Sequence, residues 1–371
     1  MLNRAAASIA LAAAVACGIA AAAPARAADP PPRSRTTVPV IISSDVATGL
    51  VGGWRGGPSD IDDGFAVGMA LGLPALEVRG VVVTLGNNNL QPELVVARRV
   101  VGDLLHRQEV PVLAGSSQRL TDPAVTWFDN QPLPAECVNE GVRFMAEQLR
   151  RRRLTILAIG PLTDIACLAL NDPRDAANIV EVVAIMGRRP GEEFELKGKT
   201  GLTDFNYVMD ERAAGVLLAS KVPLTFLTFD LTKSALVPRS AVDELQHRSS
   251  PAAKFFYQAA QPWLDFWKKA FAEDGFHPWD QNAIYYAANP AAFACTGAAA
   301  TVVACEGAPY HDASPNHCPG HGPGQKHSLD KEASQLWLDP AGTPQRVKVC
   351  TAYASAASKA SFLDSLLTFI P

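Results

Sequence analysis

The chain reads as an α/β protein built on a doubly wound, mainly parallel, Rossmann-like sheet with helices on both faces. Short apolar runs rich in valine and isoleucine alternate with segments whose apolar residues recur at helical spacing. Many of these runs end in Asp, Asn or Gly immediately before the next helix, as strand-to-helix turns in such sheets do. Neither an internal repeat nor a linker divides the stretch, so residues 28–371 read as one domain.

The elements follow in order. The run Val38-Pro39-Val40-Ile41-Ile42 is the first strand and ends at Ser44-Asp45. A glycine-rich stretch follows, and the next helix opens on Asp62-Asp63. Residues 76–85 carry Val78, Val81, Val82 and Val83 and end in Gly86-Asn87, the pattern of a buried strand and its turn. Residues 92–105 have helical spacing, 110–113 read as a short strand and 138–153 as a helix. Strands at 154–159, 179–186 and 224–229 alternate with helices at 162–170 and 211–220. Beyond Pro238 the pattern is helical and aromatic, with Phe255, Phe256, Trp263, Phe266 and Trp267 expected in packing. Residues 298–354 read as a β-rich portion, with 305–335 as a surface loop insertion.

The N-terminus reads as a targeting segment. Arg4 precedes an alanine-rich apolar run, and Ala25-Arg26-Ala27 is a small-x-small site, so residues 1–27 read as a signal peptide cut before Ala28. Lipidation at Cys17 is the minor alternative. Loss of Arg4 and Arg26 takes the formal charge from −4 to −6. The one basic run, Arg150-Arg151-Arg152-Arg153, falls at a helix end, so nucleic acid is not an expected partner, nor is a membrane after cleavage. A periplasmic or secreted location follows. Export permits disulfides, which are expected among Cys295, Cys305, Cys318 and Cys350; Cys167, in an apolar helix, reads as a buried thiol. The histidines from His311 to His327 match no metal-site spacing and read as a surface excursion.

In a doubly wound sheet the carboxyl ends of the strands share one edge, where ligands bind. At that edge the sequence places Asp45, Asp62, Asp63, Asn87, the Ile159-Gly160 peptide, Asp204-Phe205-Asn206 and Trp279-Asp280. Crowded carboxylates repel one another unless a cation neutralises them, and acids, amides and a carbonyl are oxygen donors suited to calcium or magnesium. The same groups hydrogen-bond a sugar diol.

These residues carry a family resemblance. The chain resembles the calcium-dependent nucleoside hydrolases of the inosine–uridine-preferring superfamily. Asp45…Asp62-Asp63 is similar to the DxDxGxDD signature, and Gly80 to Asn87 to a strand ending in Gly-Asn. Gly160-Pro161-Leu162-Thr163-Asp164 is similar to GPLTN, Met186-Gly187 to the start of MGG, and Asp204-Phe205-Asn206 to EFN. Asp210-Glu211-Arg212-Ala213-Ala214 resembles DPEAA, and Trp279-Asp280-Gln281-Asn282-Ala283 resembles HDxxA. The resemblance implies that Ca2+ is held by Asp45, Asp63, Asp280 and the carbonyl of Ile159. It further implies Asp45 as general base, Asp62, Asn87, Asp204 and Asn206 as ribose ligands, and a ribonucleoside as substrate. Trp279 stands where purine-preferring members carry tryptophan, which implies stacking on a purine; His277, two residues earlier, is a candidate acid, although a loop histidine near a proline is more often structural. Family members are commonly dimers or tetramers, so a homo-oligomer is expected.

The chain departs from the pattern in places. Residues 46–59 are an insertion inside the first motif, so Asp60 competes with Asp45 for the base. Ser43 stands for the family's first acid, Asp204 for glutamate and Arg188 for the second glycine. The alternatives are a ribosyl-ligand binding protein without turnover and a hydrolase of another N-riboside.

Overall fold

The computed structural model describes residues 37–52, 56–120, 135–192, 194–200, 202–305 and 334–371. The signal segment, Cys17, and the loop with His311, His317, Cys318, His321 and His327 lie outside the described residues. What is described belongs to one unit, Thr36–Pro371. No described helix is long and apolar enough to cross a membrane.

The strands are β1 (Val38–Ser44), β2 (Leu76–Val83), β3 (Val112–Ala114), β4 (Leu154–Ala158), β5 (Ile179–Ile185), β6 (Glu195–Leu196), β7 (Lys199–Thr200), β8 (Leu224–Leu227), β9 (Val237–Pro238), β10 (Gly275–Phe276), β11 (Phe293–Ala304), β12 (Ser334–Asp339) and β13 (Val347–Tyr353). Nine of them form one sheet in the order β12-β11-β13-β8-β5-β4-β1-β2-β3. From β3 through β13 neighbouring strands run parallel. The pairs β13–β11 and β11–β12 are antiparallel. Two two-stranded ribbons, β6–β7 and β9–β10, stand apart. The expected mixed, mainly parallel sheet is therefore observed.

The central strands read as unbroken apolar runs because both faces are covered. Every residue of β4 is buried, as are the last five of β1. One face packs on helix α1 (Asp62–Gly72), helix α2 (Leu90–Arg98) and the long helix Pro251–Phe271, with Phe65, Phe256 and Phe276 at the centre. The other packs on α3 (Glu140–Arg151) and α4 (Thr163–Asn171). The helix expected at 92–105 is realised as α2 continued by a π-helical stretch, Arg99–Leu104.

Strand order reverses about β1. The chain steps from β1 to β2 and β3 on one side, then crosses to β4 on the other. This switch point separates the loops after β1 and β4 and leaves a crevice, the preferred ligand position of such sheets. Asp45 follows β1 at that crevice. The strand ends are tied together there: Ile159 N–H donates to Ser43 O at 2.8 Å, and Thr84 N–H to Ser44 O at 3.0 Å.

The insertion after Asp45 is an excursion closed at its base. Gly52 N–H donates to Gly57 O at 3.0 Å and Ser59 N–H to Leu50 O at 3.0 Å. Thr48 Oγ1 donates to Ile61 O at 2.9 Å and accepts from Gly64 N–H at 3.0 Å. One threonine thus pins the loop to the start of α1, so strand and helix meet despite the added residues.

Two disulfides join pairs of described residues. Cys295–Cys350 joins directly paired residues of β11 and β13, within the expected set. Cys137–Cys167 corrects the reading of Cys167 as a thiol. Cys167 is on α4, and the 3-10 turn Ala135–Val138 leading into α3 brings the buried Cys137 against it. An apolar helical context could not reveal a partner thirty residues earlier.

Candidate active site

Five aspartates and one glutamate converge at the switch point: Asp45, Asp60, Asp62, Asp63, Asp280 and Glu93. Asp45 caps β1. Asp62 and Asp63 occupy the first turn of α1, where the helix dipole favours negative charge. Asp280 precedes the helix Gln281–Ala288, and its backbone N–H donates to Asp62 Oδ2 at 3.1 Å. Carboxylate oxygens of Asp62, Asp63 and Asp280 lie within 4.8 Å of one another, all on buried residues.

Neutral donors hold Asp45, Asp60, Asp62, Asp63 and Glu93. Asp63 Oδ1 accepts from Ser44 Oγ at 2.7 Å, and its Oδ2 from Asn87 Nδ2 at 2.9 Å. Asp45 Oδ2 accepts from the backbone N–H of Asn87 at 2.9 Å. Asp45 Oδ1 is buried and has no hydrogen-bond partner. Two glycines make room for this carboxylate. A Cβ at Gly86 would stand 1.8 Å from Asp45 Oδ2, and one at Gly160 would stand 2.7 Å from Oδ1. Asp60, the rival to Asp45, spends Oδ1 on the backbone N–H groups of Ile61 (2.7 Å) and Asp62 (3.4 Å).

Burial and mutual repulsion drive these acids towards the protonated form. Desolvation is the largest cause at each. It pushes Asp63 up to about 7 and Asp60 up to about 6. Asp45, Asp62 and Asp280 are raised well above the usual carboxylate range, with their neighbours' charges adding to the effect. Glu93 is pushed up to about 9, chiefly by burial. Among the described residues no lysine or arginine is ion-paired to any of the six. The donor set is therefore all-oxygen, acidic, buried and short of positive charge. It fits a hard divalent cation and no soft one.

Of the other expected residues, Asn87 is at the centre of the cluster. Asn206 Nδ2 donates to the carbonyls of Ile159 (3.3 Å) and Ile185 (3.2 Å), which places it across the crevice beside the end of β4. Asp204 Oδ2 accepts from Gly187 N–H at 2.7 Å, so this oxygen holds the loop after β5. Trp279 is half-buried in a row of rings. It stacks on Phe229 at 5.5 Å and on His277 at 4.7 Å, and Phe229 stacks on Phe194 at 4.1 Å. His277 Nδ1 is 2.7 Å from the Ala235 carbonyl, so that nitrogen carries the proton, and Nε2 is buried without a partner. Burial pushes its imidazole below the usual histidine range. His277 is thus a neutral packing ring rather than a ready proton donor. Ser43, which replaces the family's first acid, has a buried Oγ with no partner.

Sequence reasoning passed over Ser44 and Glu93. Ser44 could have been found as a small polar residue ending a buried strand directly before Asp45. Glu93 had only a weak signal, an acid in the first turn of a helix after Gly-Asn.

The family model for the inosine-uridine preferring nucleoside hydrolases matches residues 56–358. The chain belongs to that family. Among curated relatives, the pyrimidine-specific ribonucleoside hydrolase RihA of Shewanella sp. strain ANA-3 is 29% identical over 208 residues, covering 52% of this chain and 63% of the relative. The chain thus spans less than two-thirds of the length of that relative. Among solved structures, the purine-preferring ribonucleoside hydrolase from Gardnerella vaginalis superposes with a TM-score of 0.66 at 18% identity, covering 90% of this chain and 99% of the other. An inosine-guanosine nucleoside hydrolase superposes at 0.62 with 16% identity, covering 90% and 98%. At such identities the structural likeness speaks for the fold.

Proposed function

We propose that the protein hydrolyses the N-glycosidic bond of ribonucleosides, purine ones first, giving ribose and free base with the help of one calcium ion. The observation that carries this reading is the buried acidic cluster at the switch point: three carboxylates within 4.8 Å, beside an aspartate oxygen left without a partner. Family membership supports the reaction class.

Asp62, Asp63 and Asp280 offer the nearest ligand set; Asp45 and the Ile159 carbonyl are the further ligands implied by the family pattern. When bound, calcium supplies positive charge and Lewis acidity to a water and to the sugar diol. Asp45 Oδ1 takes the proton from the attacking water, since Oδ2 is fixed by Asn87 and Oδ1 is free. Asn87, Asn206 and Asp62 orient the ribose hydroxyls, which holds C1′ over that water as oxocarbenium character develops. Trp279, half-buried beside Phe229 and His277, is the ring that would meet the departing base. Asp204, the remaining ribose ligand of the family pattern, is one methylene shorter than glutamate, and its Oδ2 accepts from Gly187 N–H.

Pyrimidine ribonucleosides are the second reading, favoured by the sequence likeness to pyrimidine-specific relatives. The two disulfides support export to the periplasm or beyond. The test is reducing-sugar release from inosine, adenosine, guanosine, uridine, cytidine and nicotinamide riboside, with calcium and with chelator. Calcium-dependent ribose release highest for a purine supports the proposal. Highest release from uridine or cytidine moves the substrate to the second reading. Saturable binding without release from any of them makes the protein a binding protein.

A further inference from the structure

Asn87 touches both central aspartates, so whatever fixes the turn after β2 also fixes the site. Apart from its hydrogen bonds to Asp45 and Asp63, Asn87 is held by one contact: its carbonyl accepts from Ser59 Oγ at 3.4 Å. The next residue is held by two buried side chains. Asn88 N–H donates to Glu93 Oε1 at 2.6 Å, and Asn88 Nδ2 donates to Ser59 Oγ at 3.2 Å. Glu93 and Ser59 are both buried. The second oxygen of Glu93 is buried with no hydrogen-bond partner. An acid buried without a cationic partner is costly, and its observed hydrogen bond is spent on this turn.

We propose that Glu93 is a positioning residue. With Ser59 it clasps Asn88, and the clasp sets Asn87 so that Asp45 and Asp63 keep their oxygens facing the cation and the water. The proposal rests on reading Asp45 and Asp63 as the site. It also gives the inserted loop a task. Ser59 closes that insertion, and through Asn88 it returns the chain to the site rather than leaving a loose excursion.

A purely structural role makes a different prediction. If Glu93 only caps α2, its loss lowers stability and leaves the Asn87 turn and cation affinity alone. The experiment compares Glu93→Ala, Glu93→Gln and Ser59→Ala in the full chain. Hydrogen exchange is followed over residues 84–92, and calcium affinity is measured by calorimetry. Glu93→Ala is expected to speed exchange in that segment and to weaken calcium about 10-fold or more, whereas Glu93→Gln, whose amide oxygen still accepts from Asn88, stays within about 3-fold. Ser59→Ala shifts both readouts in the same direction by less, and decides the matter if Glu93→Ala does not fold. Unchanged exchange and calcium affinity in Glu93→Ala and Ser59→Ala overturn the clasp, as does a Glu93→Gln effect equal to that of Glu93→Ala. Exchange needs no turnover. A wild-type protein that released no ribose would refute the proposed function while the exchange data still decided the clasp.

Discussion

The backbone N–H of Asp280 donates to Asp62 Oδ2 at 3.1 Å, joining two acids 218 positions apart in sequence. This contact brings the last motif of the chain onto the first turn of α1. It also places a third buried carboxylate against two others, at a net electrostatic cost that only a cation or protons can relieve.

That cost has a pH signature. In the unfolded chain these aspartates titrate at about 3.9, whereas in the metal-free fold Asp60 sits at about 6 and Asp63 at about 7. Folding therefore binds protons. Stability from this set is full below about pH 4 and is lost as pH rises through about 6 to 7. The melting temperature of chelator-treated protein is expected to fall from pH 5 to pH 7.5, and calcium should flatten the curve. A melting temperature that rises across this interval without calcium would contradict the electrostatic account.

Gly86 leaves the space that the Asp45 carboxylate occupies. Alanine there would put a methyl carbon 1.8 Å from Oδ2, so Asp45 must move. Gly86→Ala is expected to lower kcat by about 100-fold or more, approaching the loss of a general base. Circular dichroism should show the fold retained. Wild-type kcat in Gly86→Ala would mean that the position of Asp45 is immaterial.

If a purine leaves against Trp279, removing the indole matters more for purines. Stacking of a base on an aromatic ring is worth about 1–3 kcal/mol. Trp279→Ala should lower kcat/KM for inosine by that equivalent and change uridine less. An equal loss on both substrates would assign Trp279 to packing with Phe229 and His277 alone.

The Cys137–Cys167 bridge ties the turn before α3 to α4 and contains none of the acids. Cys167→Ser is expected to cost about 3 kcal/mol of stability, read from denaturant unfolding, by freeing the loop between them. The folded variant should keep its kcat.

The alternation of apolar runs and helical segments was sufficient to place the parallel sheet, because strands buried on both faces leave a plain signal. The C-terminal antiparallel pair was legible only as β-rich, since pairing partners are not written in a strand's own residues. Asp45, Asp62, Asp63 and Asp280 were legible because motifs fixed their place at strand and helix ends. Two details were not. The closing of the insertion by Thr48 depends on a hydroxyl bridging Ile61 and Gly64, and Glu93 acts on Asn88 across a turn. Both are three-dimensional contacts with no periodic pattern. The disulfide at Cys167 was misread for the same reason.

On the proposed function, this acidic cluster binds one calcium ion and turnover needs it. The direct measurement is ribose release from inosine by chelator-stripped protein as calcium is titrated back, with Asp63→Asn alongside. The account predicts that activity returns with about one equivalent of calcium in the wild type, and that Asp63→Asn folds but recovers little. Ribose release that persists in chelator, or that Asp63→Asn retains at the wild-type level, would contradict it.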